Sequence, residues 1–193
     1  MVERYSKQRF ISGIPAICFY LIHAVYLFIR GEDPGNLLWA CHLGAIAVGF
    51  GLILRLPALI STGVLWLGLG NIMWMLYLFG KGEFIVTSVL THLGGIIIGI
   101  IGVYKTGMVK LSWLRALVGL AALQHLCRWI TPAEENVNLA FRVHEGWEKL
   151  FPSYGWYLVV LLLLAGTLFF LMEHAFRLLS SRSRIRNGRS HPK

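Results

Sequence analysis

The sequence predicts an all-α fold: a polytopic membrane bundle of six transmembrane helices, with one amphipathic helix lying at the membrane interface. Three observations predict it. The mean hydropathy is +0.65, and 56% of the residues are hydrophobic against 14% charged, too apolar for a soluble domain. Six apolar stretches, about 11–29, 37–54, 57–79, 84–104, 112–130 and 154–176, each approach the roughly 20 residues that cross a hydrocarbon core. The basic residues are also unevenly divided between alternate connections, as the positive-inside rule requires.

The first stretch is of span length and no small-residue cleavage site follows it, so it reads as a span rather than a cleaved signal peptide. Asp33-Pro34-Gly35 marks the first turn, and Pro15, Pro57 and Pro152 lie near span starts, where a missing N–H is tolerated. Gly63, Gly68 and Gly70 in the third span, and Gly94, Gly95, Gly99 and Gly102 in the fourth, have small-residue spacings that let helices approach closely. They do not form a phosphate loop, because no GK[ST] follows. Most of the seven tryptophans fall near span ends, whereas Trp66 and Trp74 lie deeper and read as packing residues.

With a cytoplasmic N-terminus, thirteen of the eighteen Lys and Arg residues fall inside and seven of the nine acidic residues fall outside. Both termini are therefore expected in the cytoplasm, in an inner or plasma membrane. One membrane domain over 1–179 is followed by a basic tail, 180–193, expected to be disordered and to lie against anionic headgroups. Membrane lipid is the expected partner and nucleic acid is not, while a membrane complex or homo-oligomer stays open.

Between the fifth and sixth spans, Thr131-Pro132-Ala133-Glu134 has the spacing of a capped helix start. Val137, Ala140, Phe141, His144, Trp147 and Phe151 then share a helical face, which predicts an interfacial amphipathic helix over about 132–150.

Position along each span places His23, Cys41, His42, Asn71, Thr87, Ser88, Thr91, His92, Gln124, His125 and Arg128 in one layer near the outer face. Such groups cost on the order of a few kcal/mol in a bilayer unless paired or hydrated, so a shared layer predicts a polar pocket open to the outside. The interfacial helix reads equally as a plain membrane anchor or as a lid over this layer, with Asn136, Asn138 or Glu145 dipping into it. His23, Gln124, His125 and Arg128, with the lid, are the candidate substrate-binding residues.

Two chemistries fit the layer, beside a non-enzymatic reading as a transporter, lipid-binding protein or membrane-complex subunit, for which a pocket without broken helices is a poor fit. One is acyl hydrolysis or transfer on a lipid, with a histidine base and with Cys41, Thr91 or Ser88 as nucleophile. His42, His92, Thr91 and Asn71 are the candidate catalytic residues. The other is haem or metal binding by His23, His42, His92 and His125. No two of these share one helix at i, i+3 or i, i+4, so no metal ligand set is assigned and no cofactor is expected. The three cysteines, Cys18, Cys41 and Cys127, form no CxxC pair and read as buried apolar thiols.

The order of WACHLG at His42, GLGN at Asn71, THLGG at His92, then EENVNLAF and FPSYGWY, resembles the YwaF-like integral membrane family over residues 37 to 160. That family is similar to the transmembrane acyltransferases and androgen-induced membrane hydrolases. The resemblance implies a lipid-directed acyltransferase or hydrolase with His92 as catalytic histidine. It also implies a Cys two residues after the first His, where Gly44 stands here. Cys41 precedes His42 and, at about 100° per residue, should point elsewhere. Cysteine acyl-enzyme chemistry is therefore not expected, and a Thr91 nucleophile or a non-covalent role stays open.

Overall fold

Each of the six apolar stretches is helical in the computed structural model, which describes residues 2–81 and 84–188, with side chains over 13–80 and 84–179. The helices are α1 (Val2–Ile29), α2 (Ala40–Leu54), α3 (Pro57–Lys81), α4 (Val86–Val89), α5 (Gly95–Thr106), α6 (Ser112–Ile130) and α7 (Tyr154–Gly188). A π-helical turn, Leu90–Gly94, joins α4 and α5 into one rod. No strand occurs among the described residues. Pro57–Gly80, Val86–Thr106 and Tyr154–Leu179 are long and apolar enough to cross a membrane, and Gly13–Ile29 and Ala40–Ile53 are shorter apolar helices. The exterior is apolar too: Leu163, Leu164, Phe170 and Leu171 of α7 are exposed. An apolar outer surface of this extent suits lipid contact and marks a membrane protein.

The tightest pairing is between α2 and α3. Arg55 adopts a left-handed conformation, its N–H returns to the Gly51 carbonyl, and Pro57 opens the next helix. The two helices are thereby folded back on each other. A Cβ on Gly44 would lie 2.9 Å from the Gly63 carbonyl oxygen, and one on Gly63 would lie 2.6 Å from that of Gly44. Only glycine permits this backbone approach. Ala45, Val48 and Leu52 then interdigitate with Ile60, Val64 and Leu67, all buried in the core that α5, α6 and α7 complete.

The start of α6 is held from another helix. Glu173 of α7 is buried, and its carboxylate accepts the Leu111 N–H at 3.1 Å and the Trp113 N–H at 2.9 Å. A carboxylate there satisfies orphan donors and complements the helix dipole.

The interfacial helix expected over 132–150 does not form. The segment contains two short 3-10 turns, Val137–Leu139 and Glu148–Leu150, joined by irregular chain. Thr131 opens no new helix; it is the C-cap of α6, its backbone N–H and its hydroxyl both donating back to the Cys127 carbonyl at 2.9 and 2.8 Å. Asn136, Asn138, Leu139 and Gly146 have φ of 46°, 54°, 59° and 87°, which α-helix cannot accommodate. The Asn136 amide oxygen accepts the Phe141 and Arg142 N–H groups at 3.0 and 3.1 Å. Asparagine thus offers the backbone an alternative to the helical ladder. The apolar periodicity marked burial only in part: Val137 and Ala140 are in the core, but Trp147 of the same expected face is exposed and Asn138 of the opposite face is buried.

At the C-terminus α7 continues to Gly188, past the residue at which a disordered tail was expected to begin. The alternating Ser and Arg residues of 180–188 are compatible with helix, and proline comes only at 192. Residues 189–193 lie outside the described ones.

Candidate functional site

Three histidines from three separate segments meet. His23 of α1 and His42 of α2 have ring centroids 4.8 Å apart, and His42 and His92 of the π turn are 5.6 Å apart, both pairs edge to face. Trp74 of α3 lies flat on His92, with centroids 4.9 Å apart and planes within 9°. His23, His42 and His92 are 3%, 6% and 3% exposed, so they sit inside the packing rather than lining an open pocket.

The π turn follows from two adjacent side chains. Thr91 Oγ1 donates to the Thr87 carbonyl at 3.1 Å, and His92 Nδ1 meets the Ser88 carbonyl at 2.9 Å. Each occupies the i−4 carbonyl that an α-helical N–H would use, and the ladder widens locally. The extra residue turns both Thr91 and His92 inward.

The same contacts set the histidine chemistry. A carbonyl only accepts, so His92 Nδ1 carries the proton and Nε2 the lone pair. His42 is set likewise, with Nδ1 at 2.9 Å from the Asn36 carbonyl. His23 Nδ1 pairs with Thr87 Oγ1 at 2.9 Å, a hydroxyl that can donate or accept.

Cys41 joins this group, against expectation. One donor atom each from Cys41, His42 and His92 lies within 4.8 Å of the others. The 100° step on α2 separates the directions in which Cys41 and His42 leave the helix, yet their donor atoms and that of His92 form one group. A Cβ on Gly70 would come within 2.3 Å of Cys41 Cβ, so α3 presses on the cysteine directly. Spacing within one helix could not reveal a partner supplied by another.

The other expected catalytic residues have structural positions. Thr91 is fully buried, and its hydroxyl also lies 3.1 Å from the Phe19 carbonyl. Ser88 Oγ is 3.3 Å from His92 Nδ1, but that nitrogen bears the proton and cannot act as base. Asn71 donates to the Leu67 and His92 carbonyls at 2.8 and 3.2 Å, bracing the π turn against α3, while its buried Oδ1 has no partner.

The expected substrate-binding residues divide. Gln124, Asn136 and Asn138 are buried, but they hold chain to chain. Gln124 Nε2 donates to the Asn138 carbonyl at 2.9 Å. Asn138 Oδ1 accepts the Ala40 N–H at 2.8 Å, and its Nδ2 donates to the Leu38 carbonyl at 2.7 Å. Asn138 therefore caps α2 from a distant loop and places Cys41 and His42 in its first turn. Arg128 Nε donates to the Ala140 carbonyl at 2.7 Å and its guanidinium stacks on Tyr154. His125 and Glu145 are exposed. The ring contact of His125 is with Trp129, not with the cluster. Asn36 and Trp74 belong to the site although the sequence did not single them out for it. Trp74 follows Asn71 by three residues on one helical face, which was the available signal.

The haem expectation has no geometric footing in this triad: its rings touch each other, leaving no slot for a macrocycle between them. Fold and site together define a helical membrane protein with a buried Cys/His cluster near one end of its helices. No family model, curated protein or solved structure matches the chain.

Proposed function

We propose that the chain is a six-span integral membrane protein with cytoplasmic termini, and that its Cys/His cluster hydrolyses or transfers an acyl group of a membrane lipid or similar amphiphile. The observation that carries this reading is the placement of Cys41 beside His42 and His92, whose proton-free Nε2 atoms are fixed by Asn36 and Ser88. A thiol within reach of an imidazole lone pair, with that imidazole oriented by a third group, is the pattern of an activated nucleophile. One donor atom of each of Cys41, His42 and His92 lies within 4.8 Å of the others, and the thiol and His92 Nε2 must close to hydrogen-bond reach when substrate binds.

In this reading His92 Nε2 takes the Cys41 proton and the thiolate adds to the ester carbonyl. The S–C bond forms, the ester C–O bond breaks, and the departing alcohol takes the proton back from His92. Water, or a second alcohol, then attacks the thioester, and the thiol is restored. Trp74 holds the His92 plane through the cycle. The resemblance of the order of sequence features to the YwaF-like family, which is similar to the acyltransferases and hydrolases, supports the same class of substrate.

Purified protein incubated with a panel of lipid esters should turn over at least one, and the acyl group should be found on Cys41 by peptide mass mapping. Full turnover by folded Cys41→Ala protein would sink the reading.

A further inference from the structure

We infer that Cys41, His42 and His92 form a binding site for one thiophilic divalent cation of the Zn2+ class. The binding stands on geometry alone; only its consequence for turnover rests on the acyl-transfer reading.

The donor set is a thiol and two imidazoles, the mixture that tetrahedral zinc accepts and that Mg2+ or Ca2+ does not. Its donor atoms lie within 4.8 Å of one another. Ligands at 2.0–2.3 Å from a common ion stand roughly 3.5 Å apart, so side-chain movements of about 1 Å close the set. Both imidazoles already show the outer contact that metal-binding histidines make, Nδ1–H to a backbone carbonyl, with Nε2 left as the ligand atom. The scaffold is rigid on each side: Gly70 abuts Cys41, Trp74 covers His92, and Asn138 caps the turn that bears Cys41 and His42. His23 is edge-on to His42, a third imidazole in ring contact with the donor set. Its Nδ1 contact with the Thr87 hydroxyl permits either tautomer, so it can ligate the ion or hold a water on it.

On binding, the Cys41 thiol releases its proton to solvent and a metal–sulfur bond replaces it. The same ion removes the nucleophile and the base, so it suppresses acyl transfer until chelated.

Co2+ serves as the spectroscopic probe on the purified full chain. About one Co2+ per chain should give a thiolate-to-cobalt charge-transfer band, lost in Cys41→Ser, kept in Cys18→Ser, and displaced by Zn2+. Absence of the band in the wild type, or its survival in Cys41→Ser, overturns the site. Should Cys41→Ser not fold, the wild type decides alone: Zn2+ should slow alkylation of Cys41 by N-ethylmaleimide at least tenfold by peptide mapping, and an unchanged rate overturns the site. Lipid-ester turnover is followed on the same samples. Metal binding, with no turnover of any ester by the chelated, metal-free protein, keeps this site and removes the acyl-transfer reading. Turnover unaffected by saturating Zn2+ overturns the inhibitory consequence.

Discussion

Asn138 and Ala40 are joined by a 2.8 Å hydrogen bond across 98 residues, the amide oxygen of one accepting the backbone N–H of the other. A loop following α6 thereby sets the first turn of α2, where Cys41 and His42 lie. Asn138→Ala leaves the Ala40 N–H and the Leu38 carbonyl without this buried partner. Each orphaned group costs about 1–3 kcal/mol. Thermal unfolding in detergent should show a clearly lowered midpoint, and alkylation of Cys41 should accelerate as its turn loosens. An unchanged midpoint would mean that the loop does not hold α2.

Gly70→Ala tests the contact that pins Cys41. The added methyl carbon would fall 2.3 Å from Cys41 Cβ, so α2 or α3 must shift. A misplacement of about 1 Å can cost on the order of 100-fold in rate. Lipid-ester turnover should fall by at least tenfold in a protein that remains helical by circular dichroism.

Thr91→Val separates a structural threonine from a nucleophile. The variant loses the hydroxyl contacts to the Thr87 and Phe19 carbonyls. A destabilisation of about 1–2 kcal/mol is expected, with turnover retained within about threefold, or ~0.7 kcal/mol of barrier. Loss of all turnover in folded protein would return Thr91 to the reaction.

Glu173→Gln addresses the α6 start. The amide offers one accepting oxygen where the carboxylate offers two, one for each of the Leu111 and Trp113 N–H groups. Stability should fall by about 1–3 kcal/mol, read as a lower unfolding midpoint, while Co2+ binding at the cluster is unchanged.

Orientation is tested by a membrane-impermeant thiol reagent on Glu134→Cys in a Cys18→Ser background. Labelling is expected from outside the cell. Labelling only after the membrane is opened would invert the proposed topology.

The helices were legible because apolar length has no other common use: 57–79, 84–104 and 154–176 became the three helices of spanning length and composition. The packing role of Gly63, Gly70 and Gly99 was legible for a similar reason, since each has a neighbouring chain where a side chain would be. The histidines were legible as a group by depth along their helices. The 132–150 segment was misread because its apolar spacing mimics a helix, whereas Asn136 and Asn138 turn the chain through positive φ.

The residues alone determined that this chain would be helical and apolar outside, and they set His23, His42 and His92 at similar depths, because hydropathy and helical rise act along the chain. Only the tertiary structure decided which polar side chains meet. It brought His23, His42 and His92 into contact, turned Cys41 into their group and left His125 on the surface. Those outcomes depend on the azimuth of each helix about its axis. That angle is set by the Gly44–Gly63 backbone approach, the π turn and the Asn138 cap, each a contact between segments that one-dimensional spacing does not contain.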